Sequence, residues 1–163
     1  MLCDYALYKK CKLYVLFIDY SKAYDRVSRQ KLIQVLKSRG CGKVMIKAIQ
    51  SVYRCTRNVL KTAMIDATIG VRQGAPSSCL LFIIYIDEMV KMIKRAIGND
   101  GFLGMLHALL LMDDTVVLAT SRDMCEAKFK IILQYGNEFG MGVNVKKTKF
   151  FVINGSVNDN VKI

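Results

Sequence analysis

The stretch LLLMDDTVVL, residues 109–118, decides how the middle of this chain folds. Its apolar residues are typical of two β-strands, 106–112 and 115–120, separated only by Asp113 and Asp114, and this pattern predicts a hairpin. An ionised carboxylate is costly to remove from water unless another group pairs with it. The two acids therefore have two interpretations: a solvated surface turn, or ligands that a cation holds in place.

The composition is that of a basic globular domain. The chain has 163 residues, of which 53% are hydrophobic and 23% charged, and this favours one domain with a core of its own. Its 25 Lys and Arg against 13 Asp and Glu give a formal net charge of +12. Such an excess favours a polyanionic partner, with nucleic acid first and an acidic membrane second. A self-repelling surface without such a partner is the alternative.

Several classes of protein are disfavoured. The six cysteines form no C-x-x-C pair, so neither a zinc knuckle nor a thioredoxin-type centre is predicted, and an intracellular setting fits best. The single histidine, His107, excludes His-rich metal sites, and its apolar neighbours predict a core or edge position. The apolar runs are shorter than the about 20 residues that span a bilayer, and no signal peptide is predicted. We therefore expect no membrane partner.

The order of predicted elements indicates the fold class. Leu13–Ile18 is predicted as a central strand because it is nearly all apolar and rich in β-formers. Other elements are predicted as helices from Ser28, over 44–53, from Pro76 to Ile97 and over Arg122–Phe139, and as strands at 57–64, 65–71 and Lys149–Ile153. This order predicts an α+β fold, an antiparallel sheet with helices packed on one face and the other face free for a ligand. Residues 154–163 are predicted to form a polar, frayed tail.

A third acid strengthens the metal interpretation. Asp19 ends the first central strand as Asp113 and Asp114 end another, so neighbouring strands would bring three carboxylates to one rim. Hard oxygen ligands of this kind suit Mg²⁺, with Mn²⁺ as the other possibility. Two such ions about 3.5–4 Å apart are the usual arrangement for in-line phosphoryl transfer. With Asp19 included, the metal interpretation is at least the equal of the solvated turn.

Four motifs follow one another along the chain: FIDYSKAYDRV (17–27), GVRQGAPSSCLLF (70–82), LLLMDDTVVLA (109–119) and GMGVNVKKTKFFVI (140–153). In sequence and order they resemble the palm motifs of reverse transcriptases. The closest resemblance is to the enzymes of non-LTR, LINE-type retrotransposons. It implies a polymerase palm with a ferredoxin-like (RRM-like) core over residues 1–153. It also implies an RNA-directed DNA polymerase that uses two Mg²⁺ ions, an RNA template, a DNA primer and deoxynucleoside triphosphates (dNTPs).

The resemblance implies roles for individual residues around the acids. Asp19, Asp113 and Asp114 match the metal-binding carboxylates of the family, and the backbone carbonyl of Tyr20 would face the same metal. Tyr24 matches the aromatic steric gate whose ring blocks a 2′-hydroxyl, so that deoxynucleotides enter and ribonucleotides do not. The alternative for Tyr24 is an ordinary packed tyrosine.

A second group of residues matches positions that contact the nucleotide and primer. Gln73 and Gly74 match residues that pack against the incoming nucleotide and the template. Arg72 is a phosphate contact or a surface cation, with equal weight. Met112 would lie under the sugar and the primer end, a role compatible with a core position. Lys147 aligns with a lysine proposed to protonate the leaving pyrophosphate, although lysine clusters are usually solvated turns.

The sequence departs from the reverse transcriptase pattern at three positions. Leu111 stands where the family commonly has a tyrosine, Ala75 where an acid is common, and Cys79 where a proline is common. Asp25 is predicted to cap the following helix rather than to contact metal. We expect the fingers and thumb segments of a polymerase to come from a longer parent protein.

Two other functions stay open at this point. One is a non-catalytic, basic nucleic-acid-binding remnant without polymerase activity. The other is a different two-metal palm enzyme, such as a nucleotide cyclase, and the pattern of Tyr24 with Gln73 and Gly74 argues against it.

Overall fold

The fold is given by a computed structural model, which describes residues 2–54, 57–59, 64–66, 68–156 and 159. Its helices are α1 (Leu2–Lys9), α2 (Arg29–Ser38), α3 (Lys43–Arg54), α4 (Pro76–Ile97) and α5 (Arg122–Phe139). Its strands are β1 (Leu13–Ile18), β2 (Arg57–Val59), β3 (Met64–Asp66), β4 (Ala108–Leu111), β5 (Asp114–Ala119) and β6 (Lys149–Ile153). Within these ranges, no helix has the length and apolar character needed to cross a membrane.

A four-stranded antiparallel sheet with the strand order β4-β5-β1-β6 is the centre of the molecule. The central strand is β1, which pairs with β5 on one side and with β6 on the other. It can occupy this place because its side chains are apolar and all but Phe17 are buried. β2 and β3 form a separate two-stranded hairpin. The α+β class and the antiparallel sheet are therefore confirmed.

Helices α4 and α5 contribute more buried residues than any other helices to the core on one face of the sheet. Tyr14, Leu16 and Ile18, alternate residues of β1, are buried in this main core. α4 begins at Pro76, as predicted, because a proline in the first helical turn needs no hydrogen-bond partner for its nitrogen. α5 has the predicted bounds, and the Ser121 side chain caps it by accepting a hydrogen bond from the backbone N–H of the third helical residue at 3.2 Å.

The second face of the sheet is partly covered, which corrects the expectation that all of it is free. Leu13 and Val15 of β1 and Leu118 of β5 are buried there against Ala6 of α1 and Leu103. Helix α1 was not predicted, because its eight residues show no clear apolar repeat. The half of this face next to the turn between β4 and β5 stays exposed.

The structure also corrects some predicted details. Apolar residues predicted to face inward are exposed at Val44, Val52, Leu80, Ile83 and Leu133. In α4, Leu81 and Phe82 are buried instead, because this helix is apolar on most sides and its neighbours select the inward face. β3 begins at Met64, and the described residues 68–71, predicted as part of a strand, are not in one. Of the predicted strands 57–64 and 65–71, positions 60–63 and 67 lie outside the described residues.

The predicted polar tail is described only in part. The Asn154 side-chain amide donates to the carbonyl oxygen of Ala6 at 2.8 Å. The Asp159 carboxylate accepts a hydrogen bond from Lys12 Nζ at 2.9 Å. These described tail residues are therefore bonded to the domain rather than frayed, and 157, 158 and 160–163 lie outside the described residues.

A buried ion pair lies at the other end of the sheet from the β4–β5 turn. Asp100 and Lys128 have fully buried side chains and are hydrogen-bonded to each other. Lys128 also donates to the carbonyl oxygen of Leu118 at 2.6 Å, and Thr120 donates to Asp100. Burial by itself raises the pKa of Asp100, but the bonds from Lys128 and Thr120 outweigh it and hold the pKa below its usual value.

His107 is fully buried, which confirms its predicted core position, and this burial lowers its pKa.

The ion pair provides a test of the core. Asp100→Ala should lower the free energy of unfolding by about 3–5 kcal/mol, because it leaves the Lys128 charge buried without its partner. The measurement is urea unfolding at neutral pH. The folded pKa of Asp100 is lowered. The stability that the Asp100–Lys128 pair adds to the unsubstituted protein should therefore be lost as the pH falls from about 3.9, the pKa of an unfolded aspartate, through the folded pKa.

The matched control is Asp87→Ala, which removes an exposed carboxylate that pairs with Arg39 at 2.7 Å. An exposed ion pair contributes about 0–1 kcal/mol, so this variant should remain close to the parent. Losses of similar size in the two variants would contradict a stabilising role for the buried pair.

Candidate active site

The register of β1 against β5 brings two of the predicted acids to one rim. Ile18 pairs with Thr115, so the next residues outward, Asp19 and Asp114, lie opposite each other on neighbouring strands. Ile18 and Thr115 are both buried, and side chains alternate along a strand, so Asp19 and Asp114 belong to the exposed second face. Asp113 lies beside them in the turn between β4 and β5. We call these three residues the acid rim.

The carboxylates of the acid rim do not form a closed metal site. In the described part of the chain, no three His, Cys, Asp or Glu side chains are grouped so that they could hold a metal ion. Asp113 and Asp114 are exposed, and Asp19 is partly exposed. Three carboxylates fit a hard divalent cation by their donor chemistry. The backbone places Asp19, Asp113 and Asp114 at one end of the sheet, so a bound cation would have to draw their carboxylates together.

The turn that carries Asp113 is strained. It consists of Met112 and Asp113, because Leu111 and Asp114 already pair with each other. This corrects the prediction that Asp113 and Asp114 form the turn, since Asp114 belongs to β5. Met112 has a φ of +54°, a left-handed conformation that costs about 1–2 kcal/mol for a residue other than glycine. Strain of this kind concentrates at functional sites.

The segment after α5 fixes the backbone of Asp19. The backbone N–H of Asn144 donates to the Asp19 carbonyl oxygen at 2.8 Å, and Val143 pairs with Tyr20. Lys147 closes a turn by donating its backbone N–H to Asn144 at 3.0 Å, and Lys147 is exposed. The structure thus brings Lys147 to the same end of the sheet as Asp19.

Six of the predicted site residues line one cavity beside the acid rim. We call it the rim cavity, and its volume is about 520 Å³. The six are Tyr20, Tyr24, Gln73, Gly74, Met112 and Asp113. Asp19, Asp114, Arg72 and Lys147 lie outside its lining. Three segments that are far apart in the sequence therefore meet at one concave surface.

Tyr24 is held in the rim cavity by helix α4. Its ring stacks on the buried ring of Phe82, with the ring centroids 4.7 Å apart. Burial raises the pKa of Tyr24, and the hydrogen-bonded thiol of Cys79 and the nearby charge of Asp113 raise it further. The sequence motif points to Tyr24 but not to these contacts, because Phe82 and Cys79 belong to a helix whose inward face does not follow from its apolar periodicity.

Gln73 is oriented by Asp25. The Gln73 Nε2 donates to the Asp25 carboxylate at 3.1 Å. The prediction that Asp25 caps the following helix is therefore wrong. The cap of α2 is Ser28, whose hydroxyl accepts a hydrogen bond from the Lys31 backbone N–H at 3.3 Å. Both residue types are good caps, and Ser28 stands directly before the first helical residue.

Arg72 binds the carboxyl end of α3. Its guanidinium donates to the carbonyl oxygen of Val52 at 3.1 Å. Arg29 donates beside it to the carbonyl oxygens of Tyr53 at 3.1 Å and Gly70 at 2.8 Å. Cations are favourable at this end of a helix because its last carbonyl groups carry partial negative charge. The two arginines therefore attach α3 to the segment that leads to Gln73.

Gly70 joins the first two motifs through their backbones. The Gly70 N–H donates to Val27 at 2.8 Å, and the Val71 N–H donates to Tyr24 at 2.9 Å. Gly70 has a φ of +85°, and a Cβ atom there would lie 2.9 Å from the carbonyl oxygen of Asp25. Glycine is required for both reasons.

Gly70 and Gly74 give a matched pair of substitutions. Gly70→Ala should lower the free energy of unfolding by more than 2 kcal/mol, since the steric clash adds to a left-handed strain of about 1–2 kcal/mol. Gly74→Ala should lower the free energy of unfolding only by this left-handed strain, because Gly74 has a φ of +81° but no atom within 4 Å of an added Cβ. Urea unfolding followed by circular dichroism measures both, and equal losses would contradict the close contact with Asp25.

Comparison with known proteins finds relatives that are similar over most of the chain. The sequence model of the family described as reverse transcriptase (RNA-dependent DNA polymerase) matches residues 3–162. The chain is 32% identical over 143 residues to the retrovirus-related Pol polyprotein from type-1 retrotransposable element R2 of Nasonia vitripennis, covering 83% of this chain. It is 25% identical over 140 residues to the corresponding polyprotein from type-2 retrotransposable element R2DM of Drosophila melanogaster, covering 82% of this chain. The chain spans only 14% and 13% of these relatives' lengths.

Solved structures share the fold. Telomerase from Candida albicans, in complex with the TWJ fragment of telomeric RNA, has a TM-score of 0.69 at 17% identity, covering 91% of this chain and 28% of that chain. Telomerase from Candida tropicalis, in complex with a TWJ fragment of telomeric RNA, has a TM-score of 0.67 at 18% identity, covering 96% and 29%. At these identities the likeness shows the fold alone.

Proposed function

The chain belongs to the reverse transcriptase family, and we propose that it acts as the palm of an RNA-directed DNA polymerase. Its relatives in R2 elements confirm the resemblance to reverse transcriptases of non-LTR retrotransposons. We assign the palm to residues 1–153 and a polar tail to 154–163, with fingers and thumb supplied by a longer parent protein. The observation that carries the proposal is the rim cavity, which joins Tyr24, Gln73 and Asp113 beside the acid rim.

The acid rim is the proposed metal site. Asp19, Asp113 and Asp114 would hold two Mg²⁺ ions, or Mn²⁺ in their place, and the backbone carbonyl of Tyr20 would face the same ions. Such ions, when bound, neutralise charge on the reacting phosphate and lower the pKa of the primer 3′-hydroxyl. The antiparallel pairing of β1 and β5 supports this role, because it presents Asp19 and Asp114 from a rigid sheet.

The rim cavity is the proposed dNTP site. Tyr24, held against Phe82, would exclude a 2′-hydroxyl by contact with its ring. Gln73, oriented by Asp25, would bind the sugar or the base, and Gly74 would allow the backbone to approach the nucleotide and template closely. Met112 would lie under the primer end.

Two cations complete the proposed site. Lys147 is exposed at the same end of the sheet as Asp19 and would donate a proton to the leaving pyrophosphate. Arg72 has five N–H donors, so its bond to Val52 leaves it able to contact a phosphate as well. The proposed substrates are an RNA template, a DNA primer and a dNTP.

We also propose an intracellular location, in cytoplasm or nucleus, where thiols such as the five free ones in the described ranges stay reduced.

A non-catalytic nucleic-acid-binding remnant is the second candidate. It is favoured by the open arrangement of the acid rim in the described structure. It is also favoured by Leu111, which stands 72% exposed where the family commonly has a tyrosine.

Primer extension on an RNA template tests the catalytic proposal. Asp113→Asn should slow extension at least about 100-fold, equivalent to about 2.7 kcal/mol of transition-state stabilisation, because it removes one carboxylate from the metal site. Asp123→Asn, the same substitution at an exposed acid on α5, should extend primers like the parent. Extension at equal rates by the unsubstituted protein and by Asp113→Asn would remove the catalytic role of the acid rim.

Thermal unfolding in a Mg²⁺ titration tests the metal site without catalysis. A ligand at about 100 times its Kd stabilises a folded protein by about 2.7 kcal/mol, so the parent should unfold at a higher temperature as Mg²⁺ is added. Asp19→Asn should abolish this shift, and Asp123→Asn should keep it. A parent without any shift would favour the remnant.

A further inference from the structure

A groove between α2 and α3 is larger than the rim cavity. Its volume is about 770 Å³, and its floor contains the apolar side chains of Leu32, Ile33 and Ile49. The polar residues of its rim are Arg29, Gln30, Gln34, Lys37, Lys47, Gln50, Ser51 and Arg54. We call this feature the basic groove, and none of its residues belongs to the acid rim.

The charges of the basic groove all have one sign. Its described lining contains Arg29, Lys37, Lys47 and Arg54 but neither Asp nor Glu. Lys37, Lys47 and Arg54 are exposed. A cleft lined by charge of one sign concentrates its field, so this groove attracts a polyanion more strongly than a flat surface with the same charges would.

The spacing of these cations fits a chain of phosphates. Lys47 and Arg54 are seven residues apart on one face of α3, which places their backbones about 10 Å apart along the helix axis. Lys37 faces them from α2. Cations separated in this way contact different phosphates of one strand rather than a single phosphate group.

The uncharged polar groups favour RNA over DNA. Gln30, Gln34 and Gln50 are exposed in the groove, and Ser51 adds a hydroxyl group. Amide and hydroxyl groups between cations can bind the 2′-hydroxyl, which is the group that distinguishes RNA from DNA.

We propose that the basic groove binds single-stranded RNA through its sugar-phosphate backbone, as a second contact separate from the rim cavity. Arg29 and Arg72 connect the two regions, since both are bonded to the carboxyl end of α3 and Arg72 directly precedes Gln73 of the rim cavity. The proposal does not depend on catalysis by the acid rim.

Fluorescence anisotropy with a labelled oligouridylate tests the proposal, using an RNA longer than the roughly 4–16 nucleotides such sites cover. The test variant carries Lys37→Gln, Lys47→Gln and Arg54→Gln. The control carries Lys94→Gln, Arg95→Gln and Lys130→Gln, which remove the same charge from exposed positions of α4 and α5. The groove variant should bind RNA at least about tenfold more weakly. The plot of log association constant against log salt concentration should also become less steep, its negative slope shrinking in magnitude by about 2. The control should lose less than about threefold.

The sugar preference is tested separately with an oligodeoxyuridylate of the same length. The parent should bind RNA more tightly than DNA, and Gln34→Ala with Gln50→Ala should reduce this preference without weakening DNA binding. Equal losses in the two triple variants, or equal affinity of the parent for RNA and DNA, would overturn the proposal. Asp123→Asn, at an exposed acid outside the acid rim, should bind RNA like the parent. The binding assay involves no nucleotide transfer, so failure of the polymerase proposal would appear in primer extension and not in this assay.

Discussion

The pairing of β1 between β5 and β6 is the interaction on which the candidate site depends. Side chains alternate across a sheet, so a slip of one residue would turn Asp19 into the core and Ile18 to the surface. Such a slip is costly because it would bury the carboxylate of Asp19 in the main core and expose Ile18, which is now buried. The hydrophobic effect along β1 therefore fixes where the carboxylate of Asp19 emerges.

Helix α4 provides the second constraint. Phe82 is fully buried in the core, and the ring of Tyr24 stacks on it, so the wall of the rim cavity is continuous with the packed interior. The approach of Gly70 to the backbone of Asp25 brings Gln73 to the same cavity. The site is thus assembled by rigid elements, while its exposed parts are the acid rim and the strained turn at Met112.

Charge is separated on this molecule. The acid rim concentrates three of the 13 Asp and Glu residues at one end of the sheet, while the basic groove lies between two helices and contains no described acid. Two arginines bind the carboxyl end of α3: Arg29 lines the basic groove, and Arg72 directly precedes Gln73 of the rim cavity. In a protein with a formal net charge of +12, this separation suits the proposed partner, a nucleic acid that is anionic along its length, and the proposed metal site at the acid rim.

The sequence by itself determined the elements with strong local signals. β1, α5 and β6 have the predicted bounds, and the four motifs identified the family, because apolar periodicity, caps and short motifs are properties of neighbouring residues. Tertiary structure alone decided that Leu81 and Phe82 face inward where Leu80 and Ile83 were expected, that Asp25 binds Gln73 instead of capping α2, and that α1 covers part of the second face. These features depend on which distant elements pack together, and that choice is made by burial and register across the whole chain.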